Sequence, residues 1–164
     1  MLPTEGDPRW HIQGDVIAHL EEMPPCHYHL MIAHPPCTFL AVSGARWWKG
    51  REMKQWGGLR LFMDLYVAPV LHIAMENPIG VISSRFRKPD QVIQPWQYGH
   101  GETKATCLWL RGLPALKPTN IVEGREERVH RMPPGPNRWK ERSRTLAGIA
   151  NAMAEQWGSY VANK

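Results

Sequence analysis

The sequence predicts an α/β fold, a reduced Rossmann-like parallel sheet flanked by helices. Three observations carry this reading. Two short, unbroken apolar runs, residues 29–34 and 70–75, each stop at a proline-containing turn. The stretch between them, residues 49–67, carries its apolar side chains at helical spacing. Continuous apolar runs suit strands covered on both faces, as in parallel sheets, and a strand–helix–strand rhythm supplies the crossover that parallel strands need.

Taken in order, residues 1–10 read as a polar, turn-rich entry, and residues 11–16 as a short strand ending in a turn. Residues 16–22 suit a short helix stopped by Pro24-Pro25. The run 29–34 is a buried strand broken by Pro35-Pro36. In 49–67, Met53, Trp56, Leu59, Phe62, Met63 and Tyr66 predict a helix, with Gly57-Gly58 a soft spot and Pro69 its end. The run 70–75 is a second buried strand, stopped by Glu76-Asn77-Pro78, and residues 105–110 form a third, shorter one. Residues 112–142 are rich in proline and charge and predict an irregular, exposed, basic segment. Ser143 or Thr145 can cap a last helix reaching about Val161, whose Leu146, Ile149, Ala150, Met153 and Trp157 share one face. Residues 1–164 read as one domain, without repeats or low-complexity tracts.

Composition narrows the function classes. Apolar residues make up 43% and charged residues 21% of the 164, enough for a core and unlike a disordered chain. A net charge of +5 and a pI near 9.3 favour a polyanionic partner. The three cysteines, Cys26, Cys37 and Cys107, are too few and odd in number for a disulfide framework, which suits a reducing cytoplasm. The start lacks the basic and apolar regions of a signal peptide, and no apolar run is long enough to span a bilayer. Of the eight tryptophans, Trp47, Trp48, Trp56, Trp96, Trp109 and Trp157 sit in apolar contexts and are expected in the core. Trp10 and Trp139 flank charged loops and are candidates for stacking or interface roles.

In open α/β sheets chemistry collects beyond the carboxyl ends of strands. Three predicted strand ends carry polar groups: Gly14-Asp15, His34-Pro35-Pro36-Cys37 and Glu76-Asn77-Pro78. A thiol on a rigid Pro-Pro turn can serve as a nucleophile where its thiolate is stabilised; the plain alternative is an inert cysteine. Glu76 either points into the crevice or simply forms the turn.

Pro35-Pro36-Cys37 and Glu76-Asn77-Pro78 together closely resemble the fourth and sixth motifs of cytosine-5 DNA methyltransferases, which carry Pro-Cys and Glu-Asn-Val on consecutive strands. The resemblance implies that Cys37 attacks carbon 6 of a flipped cytosine and that Glu76 holds ring nitrogen 3 and the exocyclic amine. Asn77, with Pro35, Pro36 and Pro78, would support the nucleophile's loop. Thiolate addition at carbon 6 turns the ring into an enamine whose carbon 5 can accept a methyl group, and the base must leave the duplex to be reached. Gly14-Asp15-Val16 looks like the third motif, which implies that Gly14 and Asp15 contact S-adenosylmethionine. Residues 148–154 look distantly like the final motif, which implies a cofactor-side place for Asn151. Arg85 and Arg87 correspond to a basic element cradling base or phosphate, and Arg138 and Lys140 in the basic segment are further candidate DNA contacts.

The chain is also similar, over nearly its whole length, to small phage-encoded cytosine methyltransferase-like proteins. The matching stretches are 34–38, 42–44, 94–100 and 104–110. It departs from the enzymes in showing neither the glycine-rich loop nor the acidic strand end that hold S-adenosylmethionine, and the cofactor-binding start of the family is expected to be missing. It also has no room for a target-recognition domain. The expected function is therefore a DNA cytosine-5 methyltransferase homologue that is degenerate or completes its cofactor site with a partner chain or a second copy of itself. The alternative is an inactive phage-type protein in the host cytoplasm that contacts nucleic acid or a host defence protein. Two metal readings compete. Cys26, His27, His29, His34 and Cys37 lie close in sequence, but their spacing matches no closed zinc module. A zinc deaminase needs Pro-Cys-x-x-Cys, and the residue three beyond Cys37 is Leu40. No metal is expected.

Overall fold

The computed structural model describes residues 6–136 and 138–164. A 3-10 turn, Pro8–Trp10, leads to α1 (Val16–Glu22), β1 (Leu30–Ala33), a second 3-10 turn (Val42–Trp47) and α2 (Glu52–Tyr66). Then follow β2 (His72–Pro78), α3 (Ile82–Arg85), β3 (Gln91–Ile93), a third 3-10 turn (Pro95–Gln97) and β4 (Thr106–Arg111). The chain ends with α4 (Arg128–Arg131), α5 (Arg138–Ser143) and α6 (Ala147–Ala162).

The four strands form one sheet in the order β1-β2-β4-β3. β1 and β2 run parallel, with Leu30 opposite His72 and Ala33 opposite Met75. β4 lies antiparallel to β2, from Ile73 opposite Arg111 to Pro78 opposite Thr106, and antiparallel to β3. The α/β class is as expected from the sequence, but only one strand pair is parallel. The reason lies in the connections. Between β1 and β2 the chain has α2 as a crossover. Between β3 and β4 it has only a 3-10 turn and loop, and a connection without a crossover helix brings the chain back antiparallel.

Side chains alternate across this sheet into two cores. Met31 and Ala33 of β1, Ile73 and Met75 of β2, and Cys107 and Trp109 of β4 pack on the α2 side with Leu59, Phe62 and Leu65. Leu30, Ile32, Ala74 and Leu108 pack on the other side against Ile149, Ala152, Met153 and Trp157 of α6. Burial on both faces is why the strands read as unbroken apolar runs. Phe62 meets Trp109 edge-on, with centroids 5.1 Å apart. The Arg111 guanidinium donates to the carbonyls of Tyr66 and Ala68 at 2.9 and 2.6 Å and to that of Val70. It thereby satisfies acceptors that the end of α2 leaves open and places a cation at the negative end of its dipole.

Several local expectations change. Residues 11–16 form no strand. Asp15 turns outward and caps α1, its carboxylate accepting from Ile17 N–H at 2.8 Å and Ala18 N–H at 3.4 Å. Gly57-Gly58 does not interrupt α2, where Gly58 faces the side chain of Leu40. Neither Ser143 nor Thr145 caps α6. Its N-cap is Leu146, which has no side-chain bond, and Gly148 N–H donates to His100 Nε2 at 3.0 Å instead. Gly148 packs directly on the carbonyl of Tyr98, where any Cβ would overlap it. Ala150 is exposed, and Ala152 takes its place on the buried face. The segment 112–142 is largely irregular, yet α4 buries Val129 within it and Leu116 is also buried. Of the tryptophans expected inside, Trp109 and Trp157 are fully buried, but Trp47 and Trp56 are 59% and 54% exposed. Helical spacing alone did not reveal that the start of α2 projects beyond the sheet.

Candidate functional site

The site begins at the carboxyl ends of β1 and β2. Beyond β1, Pro35 is buried and the next residues turn tightly, the N–H groups of Leu40 and Ala41 both donating to Cys37 O at 2.9 Å. This turn docks on the chain leaving β2. Val42 N–H donates to Ile79 O and Val81 N–H to Leu40 O, and Ala41 bridges Gly80. Gly80 lies against the carbonyl of Leu40 so closely that a Cβ would overlap it. Asn77 is buried and donates through Nδ2 to Pro35 O at 2.9 Å, which ties the Cys37 turn to the β2 end. Its Oδ1 is buried without a hydrogen-bond partner among the described residues. An unsatisfied buried acceptor costs roughly 1–3 kcal/mol.

The alternation of β2 separates its two polar end residues. Asn77 follows Ile73 and Met75 toward α2, while Glu76 follows Ala74 toward α6. Glu76 Oε2 is hydrogen-bonded to His34 Nδ1 at 3.2 Å. It also lines a cleft of about 270 Å³, open mouth included, with Lys104, Thr106, Thr145, Leu146, Ile149 and Met153.

Lys104 is a site residue that sequence reasoning missed. In a parallel sheet the carboxyl end of the third strand would face this cleft. Because β4 runs antiparallel, its amino end does so, with Thr106 opposite Pro78. Lys104 thus arrives beside Glu76, its Nζ donating to Arg144 O at 3.1 Å and its backbone N–H to Gln94 Oε1 at 3.0 Å. The usable signal was a lysine two residues before a strand, but its meaning depended on strand direction. His34, expected at a polar strand end and weighed as a zinc ligand, was not expected to pair with Glu76, which it does here.

Electrostatics couples these groups. Burial pushes the Cys37 thiol above its ordinary value, and the Glu76 carboxylate adds to the shift. The turn's own backbone, Lys104 and Arg142 pull the other way. Burial holds the Lys104 ammonium below its ordinary value, opposed by Glu76 first and then by Cys37 and Glu102. Cys37 therefore rests as a thiol, within the field of one carboxylate and two cations. In a Cys26→Ser background, which removes the exposed thiol, Cys37 alkylation by iodoacetamide should rise with pH and inflect above 9.0. At mildly alkaline pH Glu76→Gln should speed it and Lys104→Met slow it. Identical rates in all three proteins would show that these charges do not reach the sulfur.

The remaining sequence candidates fall elsewhere. Pro36 is exposed and Pro78 half-buried at the rims of the two turns. Gly14, Asp15 and Asn151 are all exposed, and none lines the cleft. Arg85 is exposed at the end of α3. Arg87 is held within the fold, paired with Asp90 at 3.0 and 2.6 Å and donating to Tyr66 Oη at 2.8 Å. Asp90 raises the Arg87 pKa, and the carboxyl of Asp90 is held below its usual range by Arg87. Arg138 Nε donates to Met132 O at 2.8 Å, and Lys140 is half-buried in α5. Among the described residues no three His, Cys, Asp or Glu side chains converge to hold a metal ion. His34 reaches Glu76, whereas His27 stacks edge-on against Tyr28.

S-adenosylmethionine does not fit the residues present. The Asp15 carboxylate, which the family resemblance assigns to the cofactor, is committed to the α1 cap, and neither Gly14 nor Asn151 lines the cleft. Among the described residues no helix is long and apolar enough to cross a membrane. Neither a family model nor a curated protein matches this chain.

Proposed function

We propose that this chain is a cytosine-5 DNA methyltransferase homologue that keeps the base-activating half of the site and lacks a methyl-donor pocket of its own. The observation that supports it most is the meeting of Glu76 and Lys104 in the cleft at the ends of β2 and β4, with Cys37 within their electrostatic reach on a turn that Asn77 ties to β2. Cytosine offers an acceptor at ring nitrogen 3, a donor at its amine and an acceptor at its carbonyl oxygen. A protonated carboxyl at Glu76 serves the first two, its O–H donating to ring nitrogen 3 and its carbonyl oxygen accepting from the amine, and the Lys104 ammonium donates to the third.

The Cys37 thiol gives its proton to solvent and its sulfur bonds to carbon 6 while a proton passes from the Glu76 carboxyl to ring nitrogen 3, to return to Glu76 when the thiolate leaves. The carbon 5–carbon 6 double bond opens, and the resulting enamine is nucleophilic at carbon 5. In water carbon 5 takes up a solvent proton. Loss of the original hydrogen from carbon 5 and elimination of the thiolate then restore cytosine. The net result is exchange of hydrogen 5 with solvent, and it needs no methyl donor. His34, bonded to Glu76, orients the carboxyl group.

The test is hydrogen 5 exchange of cytosine in single-stranded DNA dissolved in deuterium oxide, followed by NMR. The wild type should exchange it and Glu76→Gln should slow the exchange on the order of a hundredfold, the usual scale for one acid–base group. Glu76→Gln is expected to make the Cys37 thiol more easily alkylated, so slower exchange in that variant separates ring activation from thiol reactivity. No exchange above the buffer rate in the wild type would overturn the reading. Calorimetry should show no saturable binding of S-adenosylmethionine to the chain alone, and saturable binding would overturn the assignment of a missing donor pocket.

The raised thiol pKa and the narrow cleft favour a second reading, in which the same groups hold a base without attacking it. Base binding without exchange would support that reading.

A further inference from the structure

We propose that the surface of residues 46–56, at the second 3-10 turn and the start of α2, is a landing site for single-stranded nucleic acid. This goes beyond the chemistry assigned to Cys37 and does not depend on it. Trp47 and Trp56 stand 59% and 54% exposed here, whereas Trp109 and Trp157 are completely buried. Arg46, Lys49, Arg51 and Lys54 surround them, all exposed. Among the described residues none of these four makes an ion pair. Glu52 is the one acid between positions 46 and 56, and its carboxylate already accepts from Gly50 N–H at 3.1 Å. Four cations against one acid leave +3 on this short segment, out of +5 for the whole chain.

Rings and cations interleave here. The Arg46 guanidinium lies 5.0 Å from the Trp47 ring centroid, and Lys54 Nζ lies 5.8 Å from that of Phe39. Exposed indoles among unpaired cations match a strand that offers both phosphates and unstacked base faces. A duplex offers phosphates, but its bases are already stacked on one another. An acidic protein offers charge without a row of flat rings. The surface also joins the Cys37 turn physically, since Gln55 Nε2 donates to Phe39 O at 3.0 Å and Phe39 lies two residues beyond Cys37. A strand bound there runs up to the thiol.

The experiment is fluorescence anisotropy with a labelled mixed-sequence oligonucleotide, the same sequence as duplex, and heparin as a competing polyanion without bases. Single-stranded DNA should bind about tenfold or more tighter than duplex. Trp47→Ala and Trp56→Ala should each weaken single-strand binding by about tenfold and leave duplex and heparin binding nearly unchanged. Lys49→Ala with Arg51→Ala should weaken all three and flatten the salt dependence of single-strand binding by about 1.4 in log–log slope. All four side chains are exposed, so unchanged melting curves will confirm that the variants fold. Equal affinity for single strand, duplex and heparin, or single-strand binding unaffected by the tryptophan substitutions, would overturn the proposal. Binding with no hydrogen 5 exchange overturns the catalytic reading alone, whereas exchange without single-strand preference overturns this one alone.

Discussion

Cys37→Ser should reduce hydrogen 5 exchange to the uncatalysed rate, a loss on the order of a thousandfold or more, the scale seen when an enzymatic nucleophile is removed. The hydroxyl fits the same turn, because what shapes the turn is backbone bonding to Cys37 O and the Asn77–Pro35 contact, neither of which involves the sulfur. Its melting curve should therefore match that of the wild type. Serine fails chemically, since its alkoxide is far less accessible than a thiolate in a site that already penalises the anion through burial and Glu76. Undiminished exchange in Cys37→Ser would place the chemistry on another residue.

Trp157→Ala should cost about 4 kcal/mol, the usual scale for emptying a fully buried tryptophan site. For a chain of this size that corresponds to a fall in melting temperature of ~10 °C. Trp157 is completely inaccessible, fills the core between α6 and the sheet, and donates from Nε1 to Pro114 O at 3.0 Å. The substitution leaves a cavity and an unpaired carbonyl on the segment leading from β4. Because α6 and its N-cap Leu146 also line the cleft, with Ile149 and Met153, exchange should decline along with stability. A melting temperature within a degree or two of the wild type would mean that α6 is not anchored through this side chain. Trp56→Ala, on a surface tryptophan, should leave the melting temperature nearly unchanged, and the two together compare core with exposed indoles.

The two glycine contacts near the site explain part of its geometry in the same terms. Gly80 and Gly148 let backbone approach backbone, at Leu40 and Tyr98 respectively, where any side chain would overlap a carbonyl. One contact seats the Cys37 turn on the β2 exit, and the other seats the start of α6 beside the cleft. Neither contact is visible in the sequence, where Gly148 falls inside the last helix and Gly80 simply follows the Glu76-Asn77-Pro78 stretch.

The sequence by itself determined the elements whose signal is local. Unbroken apolar runs marked β1 and β2, and helical spacing marked α2 and α6, because burial on one or two faces imposes its period directly on the residue order. It also placed Cys37 beyond a strand end, since Pro-Pro stops β1, but Glu76-Asn77-Pro78 does not stop β2, which pairs with β4 as far as Pro78. What lay beyond it was set by pairing between distant segments. Strand direction depends on whether a crossover helix intervenes, and only the antiparallel entry of β4 brings Lys104 to Glu76. The same holds for the exposure of Trp47 and Trp56, whereas Asp15 was misread locally, since it caps α1 rather than ending a strand. A periodic apolar pattern states that a face is apolar, but only the tertiary structure decides whether another element covers it.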